Sequence, residues 1–507
     1  MANVQPRPKI ASGPKNEVYD VIVVGGQLGG ALSAALLAKR KYRVLLVEHD
    51  GVGHGYEHGG YLLPYSPFLA PPLKAMPEVE EAFNELGITT TLQRAFKAHA
   101  PSLQLVLPNH RVDLHAEEPK RLRELKREYP ESADAVDSGL KEAAQQHERS
   151  DAFFKLMPNL PPDGFFEKWS LGSQIKSVPG LQEASAISGN DAASTLLRKL
   201  SGFLHFGAAA DSNLASTRPL SQVLKNPHKF PGGREGLREL LLKRLQELGG
   251  DVLGLEPSEN SVVEELSFDG SKLVGIKLVR GETIYRASVI VAATDAGALR
   301  RLVQDKKRQR KLSEELDLAS TKELLFSVNW VVPVDALPLG MGDLLLVETE
   351  DPELSPILVQ VLPARKVGGK EGKSDDESAR TVCAAAFVPA SARELGEAHL
   401  EQLGRKLDER LDELLPFAKD RALVRSAPYL DAGGVRGSRL QPHPHVEVNS
   451  EQFLGVTGLR QRTAVKNLIL ASREVLPGLG LEGEFLAGIR SAKLVQESLK
   501  KKDPLKR

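Results

Sequence analysis

After an arm of sixteen mostly polar residues, the chain enters a run of almost uninterrupted apolar, β-branched positions, Tyr19-Asp-Val-Ile-Val-Val24. A run that short and that continuous predicts a strand buried on both faces, as in a parallel sheet. Gly25-Gly-Gln-Leu-Gly-Gly30 follows, then helix formers from Ala31 to Lys39, then a second strand-like run from Arg43 to Glu48. Strand, glycine turn, helix, strand and terminal acid is the sequence form of a βαβ dinucleotide unit.

Farther along, helical spacing runs from about Ala116 to Leu156, broken at Pro130, whereas Gly164 to Thr217 carries no sharp pattern. Pro231-Gly-Gly-Arg-Glu-Gly236 leads into an amphipathic helix, Leu237 to Leu248. Three short strands are expected at Asp251–Leu255, Ser261–Phe268 and Lys272–Val279, the last two joined by the Asp269-Gly270 turn. Ser288 to Ala293 is another buried-strand run, and Glu323 to Val361 is β-rich. The polar stretch Arg365 to Ser378 reads as a solvated loop, followed by a strand at Thr381–Val388 and a charged helix at Glu394–Leu415. The tail gives a strand at Asn467–Ala471, the loop Pro477-Gly-Leu-Gly-Leu-Glu-Gly483 and a helix from about Glu484 to Leu499.

Charge changes the picture by exclusion. With 67 Lys plus Arg against 67 Asp plus Glu in 507 residues, the net charge is zero. That balance argues against nucleic acid as a partner, which calls for a basic excess. The one cysteine, Cys383, rules out an intrachain disulfide framework and sits in a strand pattern expected to be core. No apolar run approaches the ~20 residues of a membrane span. Met1 to Asn16 lacks the apolar core of a secretion signal and is expected to be a disordered arm. These features point to the cytoplasm, with any membrane contact peripheral, at the inner membrane face. The basic runs Lys306–Lys311 and Lys500–Lys502 read first as solvated faces and second as attraction to an anionic surface. His54 and His58, with Glu57 between them in a glycine-rich loop, have no evident third ligand, and no metal site is expected. The proline-broken apolar stretch Tyr61–Ala70 is either an entrance for a lipophilic substrate or a buried loop.

The chemistry-bearing candidates lie at two glycine-rich helix starts. At the first, Gly25, Gly26, Gly29 and Gly30 supply a tight turn near a helix N-terminus that attracts a pyrophosphate, and Glu48 is placed for ribose hydroxyls. Gln27 stands where the fingerprint has its central glycine. At the second, the loop before the last helix offers another N-terminus able to approach a planar ring.

These pieces, in this order, resemble the superfamily of phytoene desaturases, carotenoid isomerases and amine oxidases. The resemblance covers Asp20–Gly30, Pro231–Leu240, the three strands after Gly250, Ser288–Asp295 and Asn467–Gly483. Arg121–Pro130 is a weaker match, to the desaturase branch. It implies an α/β fold, a discontinuous Rossmann-type FAD-binding domain (17–90, 226–301 and 455–500) with an inserted α+β substrate domain (91–225 and 302–454). It implies FAD as cofactor, held by Gly25, Gly29, Gly30 and Glu48, with adenine at the backbone of Val263 and the isoalloxazine ring over Leu481, Glu482 and Gly483. The implied activity is oxidation or isomerisation of a hydrophobic small molecule, such as a polyene or porphyrinogen, by hydride transfer at the flavin. No catalytic acid or base emerges.

Three departures accompany the resemblance. Gln27 replaces glycine, Gly51–Gly59 lacks the usual arginine, and Ser472-Arg473 replaces Gly-Asp. Arg473 can pair with pyrophosphate, or fill the site by pairing with Glu48 or Glu482. Two alternatives remain open: a non-catalytic relative that keeps the fold as a binding or assembly scaffold, and a porphyrinogen or amine oxidase.

Overall fold

A computed structural model describes residues 18–49, 55–181, 192–207, 213–225, 227–254, 262–279, 284–305, 309–354, 356–367, 373–431, 444–451 and 453–499. The N-terminal arm, His54, Lys306–Arg308 and Lys500–Lys502 lie outside the described residues.

The first layer is a seven-stranded sheet assembled from three separate stretches of chain. Asp251–Leu253, Val44–Val47, Val18–Val24, Ile284–Ala292 and Leu468–Leu470 run parallel in that order. Lys272–Leu278 pairs antiparallel with the first half of Ile284–Ala292 and carries Val263–Asp269 beyond it. The opening strand is buried along most of its length, as its unbroken apolar run requires. The following helix, Leu28–Lys39, is buried from Leu28 through Ala38. A helix apolar all round must be packed on every side, and this one lies among the sheet, Gly233–Glu247 and Gly480–Leu499.

The second layer is a ten-stranded mixed sheet built on Ala319–Pro333, Ile357–Val367 and Lys373–Pro389. Alternation along its central strand sets the two faces. Leu324, Phe326, Val328, Trp330 and Val332 face the helix Glu397–Leu414, whereas Leu325 joins the core under the helices at Glu118–Phe154 and Ala192–Gly202. Trp330 donates to Asp408 at 2.6 Å, and Arg425 lies 3.9 Å above its ring. Cys383 is buried in this sheet opposite Asn329, and burial pushes its thiol up.

The structure departs from the expected elements in three places. Arg365–Val367 and Lys373–Ser378, read as solvated loop, extend the two long strands as a hairpin paired Arg365 to Asp375. Backbone pairing there overrides a polar composition. The patternless stretch from Gly164 onward forms helices at Gly164–Lys176, Ala192–Gly202 and Asn213–Leu224, the last containing Pro219. Tyr61–Ala70 is a buried segment: the amide of Phe68 donates to Gln360 at 2.9 Å, and Gln360 returns a bond to the Phe68 carbonyl at 2.8 Å. Tyr56–His58 and Tyr61–Leu63, though early in the chain, pair into the second sheet. Among the described residues no helix is long and apolar enough to cross a membrane.

Candidate functional site

The C-terminal ends of the parallel strands converge on a cleft of about 680 Å³. In open α/β sheets this end, where helix N-termini point outward, is where ligands bind. Gly26, Gln27, Glu48, Val263 and Arg473 all line it, brought together from four separate stretches of chain.

The turn is fixed by close packing. Gly25 has φ of +98°, its amide donates to Val47 at 2.8 Å, and a Cβ on it would meet the Ala293 carbonyl oxygen at 2.5 Å. Gly29 and Gly30 face inward, where a Cβ would strike the carbonyl of Glu484 or the side chain of Ala293. Gly26 alone of the four lines the cleft. A Cβ on Gly26 would lie 2.0 Å from Oε1 of Glu48, so the acid is seated directly against bare backbone.

Glu48 is almost wholly buried, and that burial pushes its carboxyl up against the opposing pull of Arg238, whose Nη1 donates to Oε2 at 2.6 Å. Arg238 rides on the helix after Pro231-Gly-Gly, and sequence reasoning missed it. The residue type was visible on that helix, but nothing local marks which way it points.

Gln27 is held with φ of −57° and ψ of 156°, a conformation any residue adopts, so its Cβ brings no backbone strain. Its Nε2 donates to Asp295 at 3.0 Å, and its Oε1 accepts the amide of Arg473 at 3.3 Å. The side chain thus ties the glycine turn to the ends of two other strands. The guanidinium of Arg473 reaches Asp295 at 3.3 Å, a partner the sequence did not suggest, while Glu482 is held by Arg218. Ser472 is buried beside it and donates to Glu474 at 3.3 Å. Glu474 accepts the amide of Ala296 at 2.6 Å, and burial with the Asp295 carboxylate nearby pushes its carboxyl up.

Val263 begins an edge strand of the cleft, and its amide donates to Nδ1 of His49 at 3.1 Å. At the other helix start, Leu481, Glu482 and Gly483 turn away from the cleft. Leu481 joins the core with Phe485, and a Cβ on Gly483 would meet the Leu476 carbonyl at 2.3 Å. Glu482 is held by Arg218 through two bonds of 2.6 and 2.7 Å and by Gln222 at 2.9 Å. Arg218 is fully buried, and it also bonds Ser150 at 2.7 Å, Asp151 at 2.8 Å and the Ala75 carbonyl at 3.5 Å. This fixes the last helix against the helices of the second layer.

Phe206 was also missed, because it falls in the stretch without pattern. Its amide bonds the Pro477 carbonyl at 2.8 Å, and Arg473 and Arg234 lie 5.5 and 5.8 Å from its ring centre. Arg234 in turn donates to the buried Glu484 at 2.6 Å.

The donor set suits a dinucleotide. The outward amides at the start of Leu28–Lys39 and the Arg473 guanidinium match a diphosphate, and Glu48 matches ribose hydroxyls. The Gly26 seat, which a Cβ would fill, lets that acid lie directly against the glycine turn.

The interrupted parallel sheet, its glycine turn and the second sheet together define an α/β protein with a Rossmann-like unit and the fold of solved amine oxidases. Residues 23–86 match the NAD(P)-binding Rossmann-like domain family. Over 308 residues the chain is 25% identical to an all-trans-zeta-carotene desaturase of Myxococcus xanthus, covering 58% of this chain and 56% of that one. The chain thus spans little more than half the length of that curated relative. Cyclohexylamine oxidase from Brevibacterium oxydans shares the fold with a TM-score of 0.53 at 14% identity, over 95% of this chain and 100% of that one. A variant of putrescine oxidase redesigned at its cofactor site superposes with a TM-score of 0.56 at 15% identity, over 95% and 99%.

Proposed function

We propose that this protein is an FAD-dependent oxidoreductase of the desaturase or isomerase type, acting on a hydrophobic small molecule. The observation that carries the reading is the cleft itself, which gathers Gly26, Glu48, Val263 and Arg473 into one cavity about the size of a dinucleotide site. When bound, FAD supplies the hydride acceptor or donor. The chain's own part is binding and orientation. Glu48 takes the ribose hydroxyls, the helix amides and Arg473 take the diphosphate, and the backbone of Val263 takes the adenine.

The rival reading, a scaffold without redox activity, draws on the side chains that already bridge the cleft: Gln27 with Asp295 and Arg473, and Glu48 with Arg238. One measurement separates the two. The visible spectrum of the freshly purified protein is recorded, then repeated after excess FAD and desalting. Retained flavin bands support the oxidoreductase, and a screen of polyene substrates follows. A colourless protein that retains no added FAD overturns it in favour of the scaffold.

A further inference from the structure

The helix Gly164–Lys176 turns its two sides to different surroundings. Leu171, Gly172 and Ile175 line a cavity of about 790 Å³, together with Leu318, Phe453 and Leu459 and the charged Lys168, Glu315, Glu451 and Arg460. The opposite side exposes Phe165, Phe166 and Trp169, at 77%, 82% and 70%. Positions i, i+1 and i+4 share one helical face, so the three rings form a single apolar surface. The preceding turn adds exposed Leu156 and Met157, and it is fastened to this helix by a bond from Gln174 to the Leu156 carbonyl at 3.1 Å.

Charge decides what covers the patch. Lys155 and Lys176 are exposed at its margins, whereas Lys168, between the rings and the cavity, is paired with Glu451. The acids of the same segment are turned inward: Glu167 pairs with Arg490 at 2.7 Å, and Asp163 lies 3.6 Å from Arg462. An outward surface of aromatics edged by lysine suits the interface of an anionic bilayer, where rings sit at headgroup depth and ammonium groups meet phosphates. A protein partner of ordinary composition offers no such sheet of negative charge.

We propose that the Gly164–Lys176 helix docks this protein on an anionic phospholipid bilayer, with Phe165, Phe166 and Trp169 entering the interface. The cavity behind the helix then lies at the membrane surface, within reach of lipid-dissolved molecules. The docking does not depend on the flavin reading.

The protein carries its own probe. Of its two tryptophans, Trp330 is fully buried and Trp169 is exposed, so a change in emission on binding reports Trp169. The full-length protein is mixed with vesicles of phosphatidylcholine and phosphatidylglycerol, then with vesicles of brominated lipid. Docking gives co-sedimentation, a blue shift of emission and quenching by bromine. Phe165→Ser with Phe166→Ser lowers the bound fraction by about 10-fold or more without altering emission in the absence of lipid. Trp169→Phe keeps sedimentation and loses the emission change. No binding at millimolar lipid, or undiminished binding by the double-serine variant, overturns the proposal. So does a wild-type dimer in light scattering that becomes monomeric in that variant, which would make the patch a contact between copies. Flavin content is read on the same samples, so failure to dock is distinguishable from absence of cofactor.

Discussion

The carboxylate of Glu48 and the guanidinium of Arg238 meet at 2.6 Å across 190 residues of sequence. The pair joins the end of the second parallel strand to the helix that follows Pro231-Gly-Gly, and both residues are almost wholly buried. Removing one member leaves an uncompensated charge out of water. Arg238→Met is therefore expected to cost about 2–4 kcal/mol in chemical denaturation, and Glu48→Gln should recover part of that loss in the double variant. The raised carboxyl of Glu48 also sets a sign. A folded-state pKa above the unfolded one contributes stability at low pH that is lost as pH rises. The Arg238→Met deficit should shrink as acidification protonates this buried carboxyl, starting above the ordinary glutamate range. A deficit that stays constant from acid to neutral pH would show that the lost pairing is not its source.

Gly26→Ala tests the seat of the acid. The new Cβ would fall 2.0 Å from Oε1 of Glu48, so the carboxylate must move. A loss of about 1–3 kcal/mol is expected, with partial rescue by Glu48→Asp, whose shorter side chain withdraws from the contact. Thermal melts of the three proteins check this, and equal melting temperatures for wild type and Gly26→Ala would contradict the packing.

Gln27 distinguishes a tolerated variant from a blocking one. Gln27→Glu exchanges a neutral amide for a carboxylate beside Asp295, where a diphosphate would lie. Retention of FAD should fall by about 10-fold or more through like-charge repulsion, whereas Gln27→Gly should retain FAD at least as well as wild type. Equilibrium dialysis with FAD reads both. Equal retention by the glutamate variant would place the diphosphate elsewhere.

Glu78 gives a pH dependence away from the cleft. Burial, reinforced by the carboxylates of Glu482 and Glu81, pushes its carboxyl up to about 7. The folded protein thus holds this proton more tightly than the unfolded chain, whose glutamates titrate near ~4.3. The resulting stability is complete below about 4.5 and is lost as pH rises through about 7. Glu78→Gln should be more stable than wild type by about 1–3 kcal/mol at pH ~8 and unchanged at pH ~4. Urea denaturation at the two pH values decides it, and an equal difference at both would refute the shift.

The sequence by itself determined the parts whose causes are local. The β-branched run Tyr19–Val24, the Gly25–Gly30 turn and the helix after it follow from backbone sterics and burial over about twenty residues. The resemblance of these and later segments to a flavoprotein superfamily put Val263 and Arg473 at one expected cofactor site, and both line the cleft. The amphipathic helix after Pro231 was equally legible.

Only the tertiary structure decided which charges meet. Arg473 finds Asp295, 178 residues away, Glu482 finds Arg218, 264 residues away, and Glu48 finds Arg238. Phe206 reached the last helix start from a stretch without periodicity, and Leu481, Glu482 and Gly483 turned into packing and away from the cleft. The reason is that a charge or a ring acts through space over a few ångströms. With 67 cations and 67 anions in the chain, sequence offers each acid many equivalent partners, and only the packed layers bring one of them within reach.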